Sequence, residues 1–219
     1  MINCRSLRAI VAGCAIAALA GCRTGPPPPM VVPASFTPLG VNAPYLMGDV
    51  IGGLKARQAK MRAAKIRPLG PAEAGAYLAD LGSELRRQTA GMGLDILQVS
   101  GSIVVRIPAT FTFDAGSAAI KPTTDATLLE IARTVKTRNR TFVDVLAHTD
   151  TSGTPQINRA LSDKRAAAVA TYLANHGVSK ARIASRGLGE LAPLYNPETS
   201  ENQKAANRRI EIRLVPYRG

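Results

Sequence analysis

A strand, a short polar corner and a long capped helix succeed one another between Thr141 and Gly177, and no other stretch restricts the fold as much. The run Thr141-Phe142-Val143-Asp144-Val145-Leu146-Ala147 is apolar and β-branched enough for a strand. Ser152-Gly153 then lets the chain reverse. Thr154 supplies a hydroxyl N-cap, Pro155 suits the first helical position and Gly177 can close the far end, which predicts a helix from Pro155 to His176. On that helix Leu161, Ala168, Val169, Tyr172 and Leu173 form one apolar stripe. A helix that returns along its preceding strand packs on a sheet, and in such folds ligands commonly sit at the strand-to-helix junction.

Arg165 falls inside this stripe, four residues from both Leu161 and Val169. A guanidinium facing a core edge is costly to desolvate alone and needs an acidic partner or an anionic ligand. Asp150, in the junction loop, is the nearest candidate. Two readings follow. In one, Asp150 and Arg165 form a structural salt bridge that ties helix to strand. In the other, they are a split pair that reads a zwitterion, Arg165 clamping a carboxylate in its planar fork and Asp150 accepting an ammonium.

His148-Thr149-Asp150, Gly153, Asn158, Leu161-Ser162, Arg165-Ala166 and, much later, Asn207-Arg208-Arg209 stand in the order and spacing of a known motif. From about Gly101 to Tyr217 the chain resembles the OmpA-like peptidoglycan-binding domain family, which includes the C-terminal domains of OmpA, MotB and Pal. The resemblance implies that Asp150 and Arg165 hold the diaminopimelate of the peptidoglycan stem peptide, with Thr151, Asn158, Leu161 and Arg208 as secondary ligand contacts. Arg208 has two readings, added positive charge beside Arg165 or a stabiliser distant from the ligand. Asn158 can bond the Asp150 loop or the ligand, and His148 can satisfy loop backbone groups. Ala147 departs from the family, which usually has glycine there, and its methyl group could crowd the loop.

The N-terminus places Arg5 and Arg8 before an apolar run from Ala9 to Ala20, too short to span a bilayer and typical of a secretion leader. Leu19-Ala20-Gly21-Cys22 looks like a lipobox, which implies acylation at Cys22; the plainer reading is an ordinary leader followed by an incidental cysteine. Arg23, rather than Asp, implies outer-membrane delivery by the same resemblance, with the domain in the periplasm. Cys4 and Cys14 leave with the leader, so the mature chain keeps one cysteine and can form no internal disulfide.

Pro26 to Pro29 open a proline-rich stretch that ends near Pro44 and reads as an extended tether. Tyr45 to Leu54 is either a packed turn or a surface-contacting segment. The six cations Lys55, Arg57, Lys60, Arg62, Lys65 and Arg67, with no acid among them, form a basic helical arm. It is either a solvated face or a segment attracted to anionic lipid heads or wall polymers. Removing Arg5 and Arg8 takes the formal charge from +13 to +11, a balance suited to polyanionic surroundings. Export argues against nucleic acid as that polyanion, and no aromatic-studded basic patch supports it.

Pro71 opens a helix carrying Ala74, Leu78, Leu81 and Leu85 on one face, followed by strands at Leu94 to Val99 and Ser102 to Pro108. Pro122 precedes a helix with Leu128, Ile131, Ala132 and Val135, and Arg182 to Leu188 reads as a short strand. Asn196 to Lys204 reads as a loop with a helical turn. Arg209, Glu211 and Arg213 alternate with Ile210, Ile212 and Leu214, which predicts a half-buried final strand.

The order predicts an α/β two-layer sandwich, a mixed β-sheet with helices on one face in the β-α-β-α-β-β arrangement of OmpA-like domains. The chain divides into a leader (1–21), an acylated cysteine with tether and basic arm (22–70), a helix-plus-strand extension (71–100) and the OmpA-like domain (101–219). Neither a His-Glu-x-x-His helix nor a Gly-x-Ser-x-Gly elbow is present, and the mature chain has only His148 and His176, so the reading is non-enzymatic, without metal or cofactor. The expected function is an outer-membrane lipoprotein that tethers that membrane to peptidoglycan. The alternatives are a Pal-like scaffold whose main partner is another envelope protein and, as a minor reading, a periplasmic hydrolase.

Overall fold

The computed structural model describes residues 50–219. The leader, Cys22, the proline-rich tether and the first residues of the Tyr45 to Leu54 run lie outside the described residues. In chain order the elements are α1 (Leu54–Ala63), α2 (Glu73–Gln88), β1 (Asp95–Val99), β2 (Ser102–Pro108), α3 (Ala109–Thr112) and α4 (Asp125–Thr137). Then come β3 (Thr141–His148), α5 (Pro155–Asn175), β4 (Ile183–Gly189), α6 (Glu201–Asn207) and β5 (Arg209–Pro216).

The five strands form one mixed sheet in the order β1-β2-β5-β3-β4. Only the β3–β4 pairing is parallel, as it must be when α5 carries the chain from one strand to the next. One face of the sheet presents Ile103, Val105, Ile107, Val143, Val145, Ala147, Ile210, Ile212 and Leu214. Against it pack Leu78, Leu81 and Leu85 from α2, Leu128, Ile131 and Val135 from α4, and Val169 and Leu173 from α5. The expected layers are therefore present, and Ala147 is a core residue whose methyl group is fully buried.

The other face departs from the sequence reading in two places. All eight residues of β5 are buried, where alternation predicted a half-buried strand. The reason is position: β5 is third of five, and its polar face is consumed by ion pairs. Glu211 accepts from Arg209 at 2.8 Å and faces Arg106 at 3.3 Å, while Asp144 on β3 accepts from Arg213 at 2.9 Å.

Arg57 is the second departure. It belongs to the basic run, yet it is 3% exposed and donates to Asp144 Oδ1 at 2.9 Å and to the Ile51 carbonyl at 2.8 Å. α1 thus packs across the sheet face opposite α2, α4 and α5, with Met61, Ile66 and Val50 against Phe142, Val215 and Tyr217. The described part of the Tyr45 to Leu54 run is a packed turn, with Val50 buried and Ile51 against Leu146 and Leu188. Arg182, placed by sequence at the start of β4, is instead a clamp. Its guanidinium donates to the carbonyls of Val135, Arg138 and Thr141, which ties the C-terminal end of α4 to the start of β3.

Candidate functional site

The loop between β3 and α5 is held by its own side chains. The Ser152 amide donates to Asp150 Oδ1 at 3.1 Å, and the Ile157 amide to the Thr154 hydroxyl at 3.3 Å, closing the N-cap expected from sequence. Asn158 Nδ2 donates to the Asp150 carbonyl at 3.1 Å and to Glu190 Oε2 at 2.6 Å. A Cβ on residue 153 would stand 2.6 Å from Asn158 Oδ1, so Gly153 and Asn158 occupy their positions as a pair. Asn158 therefore bonds the Asp150 loop, the first of its two expected roles.

Above this loop lies an open cavity of about 440 Å³. Its floor is Thr149, Asp150, Ser152 and Gly153, one wall is Asn158, Leu161 and Arg165 from α5, and the facing wall runs from Ala109 through Phe113 to Gly116, with Arg208 at the rim. Asp150, Arg165, Asn158, Leu161 and Arg208 thus come together as the sequence suggested. Thr151 does not line the cavity; its amide and hydroxyl donate to Glu198 at 3.2 and 2.9 Å.

The electrostatic pairing differs from both simple expectations. Asp150 pairs with Arg208, not with Arg165. Arg165 is 5% exposed; its Nε donates to the Ser117 carbonyl at 2.8 Å and its Nη2 to the Asp114 carbonyl at 3.1 Å, with the guanidinium over the Phe113 ring. This leaves Nη1 without a protein acceptor among the described residues. Burial and then the neighbouring Arg208 press the Arg165 guanidinium below its ordinary pKa, and Asp150 partly restores it. Arg165 and Arg208 therefore both approach Asp150 at the cavity, and Arg165 is bonded to backbone carbonyls instead of to that carboxylate. Arg208 is not distant from the cavity, as the plainer reading had it.

His148 does not serve the loop backbone. It is 2% exposed, with Nε2 3.6 Å from Glu211 Oε2. Burial, reinforced by Arg209, drives its pKa down to about 4 against the pull of Glu211. A ring that ionises near 6.5 when unfolded and near 4 when folded makes the folded state weaker as pH falls through that window. Urea unfolding is expected to show about 2 kcal/mol less stability at pH 5 than at pH 7, with most of the difference removed in His148→Gln; an unchanged stability would contradict the assignment.

Three features escaped the sequence reading. The Phe113 to Gly116 wall carries a turn signal in Asp114-Ala115-Gly116, but nothing local says that it will face α5. Ser162 accepts from the Gly189 amide at 2.9 Å, and Asp163 from the Gly187 amide at 2.6 Å, which latches α5 to β4. Asn207 accepts from the Leu194 and Tyr195 amides at 2.6 and 3.1 Å, which pins the loop after β4 beside the site.

A profile of the OmpA family matches residues 112–208. The peptidoglycan-associated lipoprotein of Pseudomonas putida is 35% identical over 129 residues, which cover 57% of this chain and 76% of that protein. The chain belongs to the OmpA family. Within it, the probable lipoprotein YiaD of Escherichia coli is 37% identical over 142 residues, covering 65% of this chain and 64% of YiaD, so the chain spans slightly less than two thirds of that relative. A MotB-like protein of Desulfovibrio vulgaris, at 22% identity, shares the fold with a TM-score of 0.58 over 74% of this chain and 97% of its own. Apart from Ala109 and Thr110, the residues lining the cavity lie inside the matched segment 112–208. Among the described residues no helix is long and apolar enough to cross a membrane.

Proposed function

We propose that this member of the OmpA family is an outer-membrane lipoprotein, acylated at Cys22, whose folded domain grips peptidoglycan without cleaving it. The observation that carries the reading is that Asp150 and Arg165 bring opposite charges to one cavity without satisfying each other. A zwitterionic carbon fits this arrangement. Its ammonium joins Arg208 on Asp150, and its carboxylate takes Nη1 of Arg165, which the Ser117 and Asp114 carbonyls hold in a fixed plane. The diaminopimelate of the stem peptide ends in such a carbon. A cavity of about 440 Å³ is of the size that small-molecule groups occupy. The names of relatives support the same reading, since one is a peptidoglycan-associated lipoprotein and another a probable lipoprotein. Many copies facing a repeating polymer would hold membrane to wall even if each site were weak.

Calorimetric titration of the mature chain carrying Cys22→Ser tests the site. A stem peptide with diaminopimelate is expected to bind about 10- to 100-fold more tightly than one with lysine, which keeps the ammonium but lacks the carboxylate. Equal affinity would contradict the role given to Arg165.

A further inference from the structure

The basic run has a use that the cavity does not absorb. Burial of Arg57 and Met61 fixes α1 on the sheet and turns the rest of its cations outward: Lys55, Lys60, Arg62, Lys65 and Arg67 are all exposed. The helix holds no acid in its first turn, and Glu73, the first acid after it, already accepts from Arg140 at 2.9 Å. Lys65 sits at φ 58, a left-handed conformation in which glycine would be the easier residue, so a charge stands at a strained position. Arg218 joins the same end, because Leu69 bridges to Arg218 and Gln58 donates to its carbonyl at 3.0 Å.

The end of this face that carries Lys65, Arg67 and Arg218 is opposite the cavity, while Lys55 starts α1 beside Ile51, which packs on Leu146 and Leu188. Asp150 follows the C-terminal end of β3, whereas the segment from Lys65 to Leu69 meets β5 beyond Pro216, which pairs with Thr141 at the start of β3. The eight residues of β3 separate the two by about 25 Å. Val50, the first described residue, is 28 residues after Cys22, so a lipid on that cysteine would hold the patch within about 100 Å of the bilayer.

We infer that the α1 face is a docking surface for anionic lipid headgroups, which seats the domain on the membrane with its cavity pointing away from it. The inference uses the lipid reading of Cys22 but not the ligand reading of the cavity. Opposite charge supplies the attraction, and tethering supplies the concentration. Cations near a helix C-terminus also complement its dipole, but that effect fades within the last turn and gives no role to Lys55 or Arg67.

The test is flotation of the mature chain carrying Cys22→Ser with phosphatidylglycerol/phosphatidylcholine vesicles and with phosphatidylcholine alone. Binding is expected only to the anionic vesicles and is expected to weaken with salt. Changing Lys55, Arg62, Lys65 and Arg67 together to Gln should reduce it at least about 50-fold. Removing the same charge elsewhere, at the exposed Arg86, Arg87, Arg133 and Lys164, should change it less than about 5-fold. Equal loss in both variants would reduce the effect to net charge and overturn the inference. So would absence of vesicle binding, or loss of binding to purified sacculi in the α1 variant alone, which would make wall polymer the partner. Asp150→Ala should bind vesicles as the parent does, which keeps this result separate from that of the cavity.

Discussion

Gly187→Ala is expected to remove about 3 to 5 kcal/mol of folding stability, the largest loss expected of any single methyl group here. Gly187 lies on β4 where that strand runs under α5. A Cβ there would stand 2.1 Å from the Asp163 amide nitrogen and 2.4 Å from both the carbonyl carbon and the hydroxyl of Ser162. These are mostly backbone atoms of a long helix, so no side chain can swing aside. The helix must lift, and the bonds from Gly187 and Gly189 to Asp163 and Ser162 must break. For a domain of this size the melting temperature should fall by about 10 °C. Gly75→Ala is the control: at an exposed position of α2 its methyl group meets nothing within 4 Å, and it should stabilise by about 0.5 to 1 kcal/mol. Equal urea midpoints for the two variants would show that α5 and β4 are not in this contact.

Asp144→Ala is expected to cost about 3 to 5 kcal/mol, for an electrostatic reason. The carboxylate is fully buried and accepts from Arg57 at 2.9 Å, Arg213 at 2.9 Å and the Ile51 amide at 3.2 Å. Its removal takes a counter-charge away from two buried guanidinium groups. The contact with α1 is also lost, so trypsin should cut within Lys55 to Arg62 before the rest of the domain opens. Asp144→Asn keeps the shape and part of the hydrogen bonding and should fall between the two. If Asp144→Ala unfolded at the parent's urea concentration and resisted trypsin equally, the role of this ion pair in holding α1 would be refuted.

Both sites show how far the sequence could be read. The strand, corner and helix from Thr141 to Asn175 were legible because caps and apolar spacing are local signals, and they placed Asp150 and Arg165 on one junction. Which partner each charge takes was not legible. That depends on the Arg208 side chain arriving from β5's N-terminal end and on two carbonyls of the α3–α4 connection, both set by the sheet order. Alternation in β5 was visible, yet its polar face is buried because α1 and a set of ion pairs cover it, and no periodicity reports a lid supplied from more than a hundred residues away. Arg57 shows the same limit: among six regularly spaced cations, only the fold decides which one meets Asp144. Gly187 carries no positive φ, so its importance rests wholly on the helix above it.

Co-sedimentation of the mature Cys22→Ser chain with purified sacculi tests the central claim most directly. Parent, Asp150→Asn and Arg165→Ala would be compared, each confirmed as folded by circular dichroism. The charge-pair account predicts that both folded variants lose at least about 10-fold in affinity, since each removes one charge-assisted contact to the ligand. Folded variants that sediment with the wall as the parent does would contradict it and move the binding site away from this cavity.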